Sequence, residues 1–274
     1  MDATLSVVAS TIQAAGVLAL ATLVALVARS LGAAWLRSWA TGWLWLAGSL
    51  VALQVSFRQP GAERLLQAAY HFGELAFLWL LARGSREFRG LSRPGHARAW
   101  AAAVAALSLA LPWTLPEFTH RFVVQAALLS AGFLWNAAVL WPARSLPGTR
   151  LGVGVALVAL VLLAAMFAAH AAAFGAASIA RSGLPLAYAA YSSLYDLLLE
   201  MLLAFGIVVV GLQDAAGQIR TLAGLVPICA WCRKLRDDQG YWSEFETWAR
   251  RRTGARVTHG ICPACKEKHF PELA

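Results

Sequence analysis

Long apolar runs broken by short polar punctuation set the pattern of this chain. Seven stretches, 5–28, 40–57, 64–82, 99–113, 122–141, 151–174 and 186–212, approach or exceed the ~20 residues that cross a hydrocarbon core of ~30 Å. The third carries polar groups and the fourth is short. The breaks are turn chemistry: Gln59-Pro60-Gly61, Arg93-Pro94-Gly95, Pro112 with Pro116, Leu146-Pro147-Gly148 and Ser182-Gly183-Leu184-Pro185. The pattern predicts an all-α integral membrane protein. Seven transmembrane helices fill 1–212, a polar helical linker 213–224 follows, and a small cysteine-bearing module occupies 225–274.

Composition agrees. Of 274 residues, 59% are hydrophobic and 14% charged, against nearly half and about a quarter in soluble domains. The net charge of +9 suggests nucleic acid until it is located. The lysines (Lys234, Lys266 and Lys268) all lie in the tail, and many arginines punctuate the apolar runs, as topology signals do. Arg29, Arg37, Arg83, Arg86, Arg89, Arg93, Arg98, Arg144 and Arg150 fall on one side, against Arg58, Arg64, Arg121 and Arg181 on the other. The first, third and fifth loops and the tail are therefore expected in the cytoplasm, with the N-terminus outside. Asp2 is the only charge before Arg29, so the first run reads as a permanent helix and not as a cleaved signal.

Trp35, Trp39, Trp43, Trp113 and Trp141 fall near expected span ends and read as headgroup anchors. The alanine runs 101–106 and 168–173 read as small faces for close packing.

Ionisable groups in hydrocarbon cost roughly 2.5–3.5 kcal/mol each on insertion scales, so each needs a reason. His71 and Glu74 lie three apart in the third span, beside Tyr70. The seventh carries Tyr188, Tyr191, Ser192, Tyr195, Asp196 and Glu200 at helical spacing. One reading is a polar pocket where Glu74, Asp196, Glu200 and Tyr195 meet His71 and hold a ligand, a proton or a metal ion. The other is a set of interhelical hydrogen bonds, with the carboxyls protonated by desolvation. A retinal protein is excluded, because the bundle has no lysine for a Schiff base. A seven-helix zinc hydrolase is disfavoured, because His71 and His170 stand apart with no His-x-x-x-His pair.

All four cysteines lie in the tail as two Cys-x-x-Cys pairs, Cys229/Cys232 and Cys262/Cys265. This is knuckle spacing, and two knuckles supply the tetrahedral thiolate shell of a structural zinc. A reducing cytosol argues against disulfides. A redox dithiol pair and unligated cysteines are the alternatives. Arg233, Lys234, Lys266 and Lys268 are placed to offset thiolate charge, and His259 is a candidate supporting group beside the second knuckle. Ser243 with Glu246 fits a capping box opening a helix from Glu244 to about Arg251, and 256–258 reads as a short strand.

The runs LVPICAWCRKLRDDQGYWSEFETW and THGICPACKEKHFPEL resemble a cysteine-rich module at the C-terminal end of bacterial signalling proteins. Sensor histidine kinases, response regulators and diguanylate cyclases carry it. YDLLLEMLLAFGIVVVGL is similar to the last span of seven-helix sensor regions in related kinases and cyclases. In those relatives an enzymatic or PAS-type domain separates the two; here only residues 213–224 do. The resemblance implies a non-enzymatic sensor of the bacterial inner membrane. Such a protein would engage a cytosolic signalling partner through its zinc module, with a homodimer as a plausible assembly. The alternative is a membrane enzyme or small transporter using the intramembrane carboxylates. Nucleic-acid binding by the basic module is the weakest reading.

Overall fold

The computed structural model describes residues 2–91, 95, 97–115, 117–180, 186–223, 227–237, 239–254, 256, 258, 260–270 and 272. Seven long helices come first: α1 (Asp2–Leu31), α2 (Ala34–Ser56), α3 (Glu63–Phe88), α4 (Ala97–Thr114), α5 (Phe118–Leu140), α6 (Arg150–Ala180) and α7 (Leu186–Ala223). A short hairpin follows, β1 (Leu235–Arg236) with β2 (Trp242–Ser243), then α8 (Phe245–Thr253) and α9 (Pro263–His269). The chain divides into two compact units, Met1–Gly217 and Gln218–Ala274.

Among the described residues, five segments are long and apolar enough to cross a membrane: Val7–Leu31, Glu63–Phe88, Phe118–Ser145, Arg150–Ala180 and Tyr191–Ile219. Ala99–Thr114 is a shorter apolar helix. The 23-residue α2 is not among the five, its hydropathy lowered by Arg37, Gln54 and the tryptophans at 35, 39, 43 and 45. Pro112 was expected to break the chain but sits inside the last turn of α4, where it removes one backbone donor and crowds the preceding turn.

The bundle exposes large apolar side chains, and its buried polar groups lie within an otherwise apolar core. Leu26, Leu151, Val158, Leu198 and Phe205 are exposed, while Gln67, Gln125, Asn136 and His170 are buried. That distribution suits helices solvated by lipid, which cannot satisfy a polar group.

The expected packing faces are corrected. Most of the alanines in 101–106 and 168–173 are exposed or half-buried, and glycines make the close approaches. A Cβ at Gly206 of α7 would lie 2.7 Å from the Ala156 nitrogen of α6, and one at Gly152 would lie 2.5 Å from the Val210 nitrogen. Only a hydrogen fits where two backbones touch. The tryptophans divide as well. Trp39 and Trp43 are buried core residues, and the Trp39 indole donates to the Leu81 carbonyl at 2.9 Å. Trp113 and Trp141 remain exposed, with the Arg144 guanidinium 3.6 Å from the centre of the Trp141 ring.

In the second unit, Leu235 pairs with Ser243 and Arg236 with Trp242, and Ile228 bridges Leu235. The charged run 233–240 thus includes a strand. Asp237 closes the hairpin by accepting the Tyr241 amide at 2.8 Å and the Gln239 amide at 3.0 Å, and Gly240 takes φ 87°. The expected capping box does not form: Ser243 belongs to β2 and Glu244 is the N-cap, without a side-chain bond. Gly254 at φ 69° ends α8, as a left-handed C-cap requires. The expected strand at 256–258 lies partly outside the described residues; 256 and 258 carry no strand pairing.

Candidate functional site

A cavity of about 200 Å³ lies within the helical bundle. At ~30 Å³ per water in the liquid, that is room for several waters or a small molecule. Its polar lining comes from four helices: Gln13 of α1, Gln54 of α2, Tyr70 and Glu74 of α3, and Ser192, Asp196 and Glu200 of α7, with Ser10 and Ser193 beside them. Leu46 and Leu50 of α2, Phe122 and Phe133 of α5 and Phe167 of α6 form apolar walls.

Helix periodicity selects these side chains. Tyr70 and Glu74 lie four apart, as do Ser192, Asp196 and Glu200, so each set makes one stripe along its helix. Neighbouring residues turn away by about 100°. His71 and Tyr195 therefore leave the wall. His71 is buried behind it, its Nδ1 without a hydrogen-bond partner among the described residues, and Tyr195 is 54% exposed on the outer surface beside exposed Tyr191. The expected meeting of His71 and Tyr195 with the carboxyls is corrected on this ground.

Each carboxyl has its own partner. Gln125 Nε2 donates to Glu74 Oε2 at 2.8 Å, and the Tyr70 hydroxyl reaches the same group. Gln13 Nε2 lies 3.4 and 3.5 Å from the two oxygens of Glu200. His170 Nε2 lies 3.2 and 3.3 Å from the two oxygens of Asp196, and its Nδ1 is 2.7 Å from the Tyr188 hydroxyl. A carboxylate only accepts, so Nε2 donates to Asp196, and in the neutral ring Nδ1 then accepts from Tyr188. Gln13, Gln125 and His170 were not linked to the carboxyls by sequence. Their signal was present, as amides and an imidazole within apolar runs, but their partners depend on which helices pack together.

The four cysteines are free thiols in two local turns. The Cys229 amide donates to the Lys234 carbonyl at 2.8 Å and the Arg233 amide to the Cys229 carbonyl at 3.0 Å. The Cys232 amide points at Cys229 Sγ at 3.4 Å, and Arg233 takes φ 61° to complete the turn. Backbone N–H groups of Cys232 and Trp231 pull the Cys229 thiol below its ordinary pKa. Cys262 is the N-cap of α9 with Pro263 behind it, and the Cys265 amide lowers its thiol in the same way. Lys234 pairs with Glu244 at 3.3 Å, so its charge is shared with a carboxylate. His259 lies outside the described residues.

Each pair thus has the donors and the turn of half a thiolate site. Among the described residues, however, no three His, Cys, Asp or Glu side chains are grouped to hold a metal ion, in the bundle or in the module. A four-thiolate shell requires the two knuckles to come together around the ion.

No family model, no curated protein and no solved structure matches the chain.

Proposed function

We propose that the protein is a non-enzymatic sensor of the bacterial inner membrane, with seven membrane-crossing helices and a cytosolic four-cysteine zinc module that engages a signalling partner. Occupancy of the bundle cavity is the input and partner binding is the output. The carrying observation is that two of the three cavity carboxyls, Asp196 and Glu200, sit on α7. The backbone of α7 stays helical to Ala223, four residues before the module's Pro227. A ligand that moves this helix acts on the segment leading directly into the cysteines.

Helix length supports counting α2 and α4 as crossings. At 1.5 Å per residue, 23 and 18 residues rise about 35 and 27 Å, close to a hydrocarbon core. The arginine distribution supports a cytoplasmic tail. The donor set supports zinc, because four cysteines at knuckle spacing, with the Cys229 and Cys262 thiols lowered by nearby amides, are ligands for that ion. Zinc would supply the cross-link that a unit with few buried apolar side chains lacks; among its described residues, Leu235 and Ala249 are the buried apolar ones.

The test is mass spectrometry of proteins co-purifying from gently solubilised native membranes, wild type against Cys229→Ser. Loss of a soluble signalling protein in the variant is expected. An identical set in both would overturn the reading and favour the second one, a membrane enzyme or small transporter. That alternative draws on the Tyr188–His170–Asp196 chain, which has the connectivity of a proton relay. Loss of transport or turnover in Asp196→Asn, with cysteine replacement harmless, would establish it.

A further inference from the structure

The cavity's composition is one-sided in charge and in shape. Three carboxyls line it, and among the described residues no lysine, arginine or histidine does. The partners of Glu74 and Glu200 are amides and a phenol: Gln125, Tyr70 and Gln13. Those groups donate hydrogen bonds but bring no positive charge. Asp196 alone faces an imidazole, held behind the wall. Glu200 is the least satisfied of the three, with one amide nitrogen at 3.4 and 3.5 Å from its oxygens and 5% exposure. A buried carboxylate ordinarily requires a paired charge or several donors.

The apolar lining combines four leucines with seven phenylalanines. Phe57 packs on Phe118 at 6.0 Å between ring centres, Phe118 on Phe122 at 6.0 Å and Phe122 on Phe174 at 4.5 Å. A second run joins Phe77 to Phe133 at 6.3 Å and Phe133 to Phe167 at 5.6 Å. All of these rings line the same cavity. Ring faces carry negative quadrupole density and attract a cation most strongly where water is excluded. A metal ion is a poor fit, since no three ligating side chains are grouped there among the described residues.

We propose that the bundle cavity binds a small organic cation, an amine or quaternary ammonium with an apolar body, its charge at Glu74 and Glu200 and its body among the phenylalanines. This deepens the sensor reading and rests on it for biological meaning, while the binding itself can be measured independently. It also assigns roles within the site. Gln13 and Gln125 orient the two carboxylates, and the rings select for size and charge.

The experiment is calorimetric titration of the full-length protein in lipid nanodiscs with three probes. These are benzyltrimethylammonium, phenethylammonium and neopentylbenzene, the last being the neutral carbon isostere of the first. At least one cation is expected to bind at least about tenfold more tightly than the isostere. Glu200→Gln and Glu74→Gln, which keep size and hydrogen bonding, are each expected to weaken it about tenfold or more, and outward-facing Tyr195→Phe to leave it unchanged. Equal binding of cation and isostere, no binding by either cation, or full affinity in both glutamine variants would overturn the proposal. Failure here with partner loss intact in Cys229→Ser removes the ligand class and leaves the sensor. Cation binding as described, with no cysteine-dependent partner, removes the sensor and leaves the site.

Discussion

Tryptophan shows how much a side chain's role depends on which way its helix faces. Trp39 and Trp113 look alike in sequence, each near the end of an apolar run. Trp39 is 1% exposed and bonded to α3, whereas Trp113 is 49% exposed. Trp39→Ala should therefore cost about 3 kcal/mol or more by leaving an unfilled cavity, and Trp113→Ala within about 0.5 kcal/mol. Thermal unfolding of the detergent-solubilised variants checks this, and equal losses would refute the division between the two. The same logic explains which site residues were legible. Glu74, Asp196 and Glu200 announce themselves, because a charge inside an apolar run is conspicuous. Gln13, Gln125 and His170 were hidden because a hydrogen bond such as Gln125 to Glu74, fifty-one positions apart, is a property of helix order. His71 and Tyr195 were misplaced by one residue's rotation, which periodicity alone cannot resolve.

Between elements, the contact of α6 with α7 is the tightest test of the packing. Gly206→Ala adds a methyl where the Ala156 backbone already sits within 2.7 Å, so a loss of about 1–3 kcal/mol is expected. Gly154→Ala, also on α6 but with nothing within 4 Å, should be neutral or slightly stabilising. A matching loss in both would show that helix flexibility, and not contact, is what the glycines supply. The alanine runs misled because small residues permit close packing without requiring it. In the tail, the hairpin escaped sequence reading because each strand has only two residues, too few for any alternation to show. Ser243 was claimed by that hairpin before it could cap α8.

At the scale of the whole chain, element order and type were the most legible features: seven helices lie where the apolar runs predicted them, and boundaries moved mainly where polar turns continued a helix. α7 runs on through the segment expected as a helical linker, to Ala223, since Gly217 alone does not end a helix. The proposed topology predicts that a reporter fused after Leu273 is active in its cytoplasmic form and silent in its periplasmic form; the reverse pattern would invert the membrane orientation. The proposed zinc predicts about one metal ion per purified chain, lost with Cys229→Ser while helical content persists by circular dichroism. Retained metal in that variant would refute it.

The bond between Gln125 and Glu74 also bears on how the protein is made. Asp196 is synthesised 122 residues after Glu74, about 6–24 s later at ~5–20 residues/s. Gln125 arrives after 51 residues, in less than half that time. During biogenesis α5 can thus shelter the Glu74 carboxyl in the bilayer well before α7 arrives to close the cavity, so a nascent chain stalled between the two should already protect Glu74 while the chamber is still open.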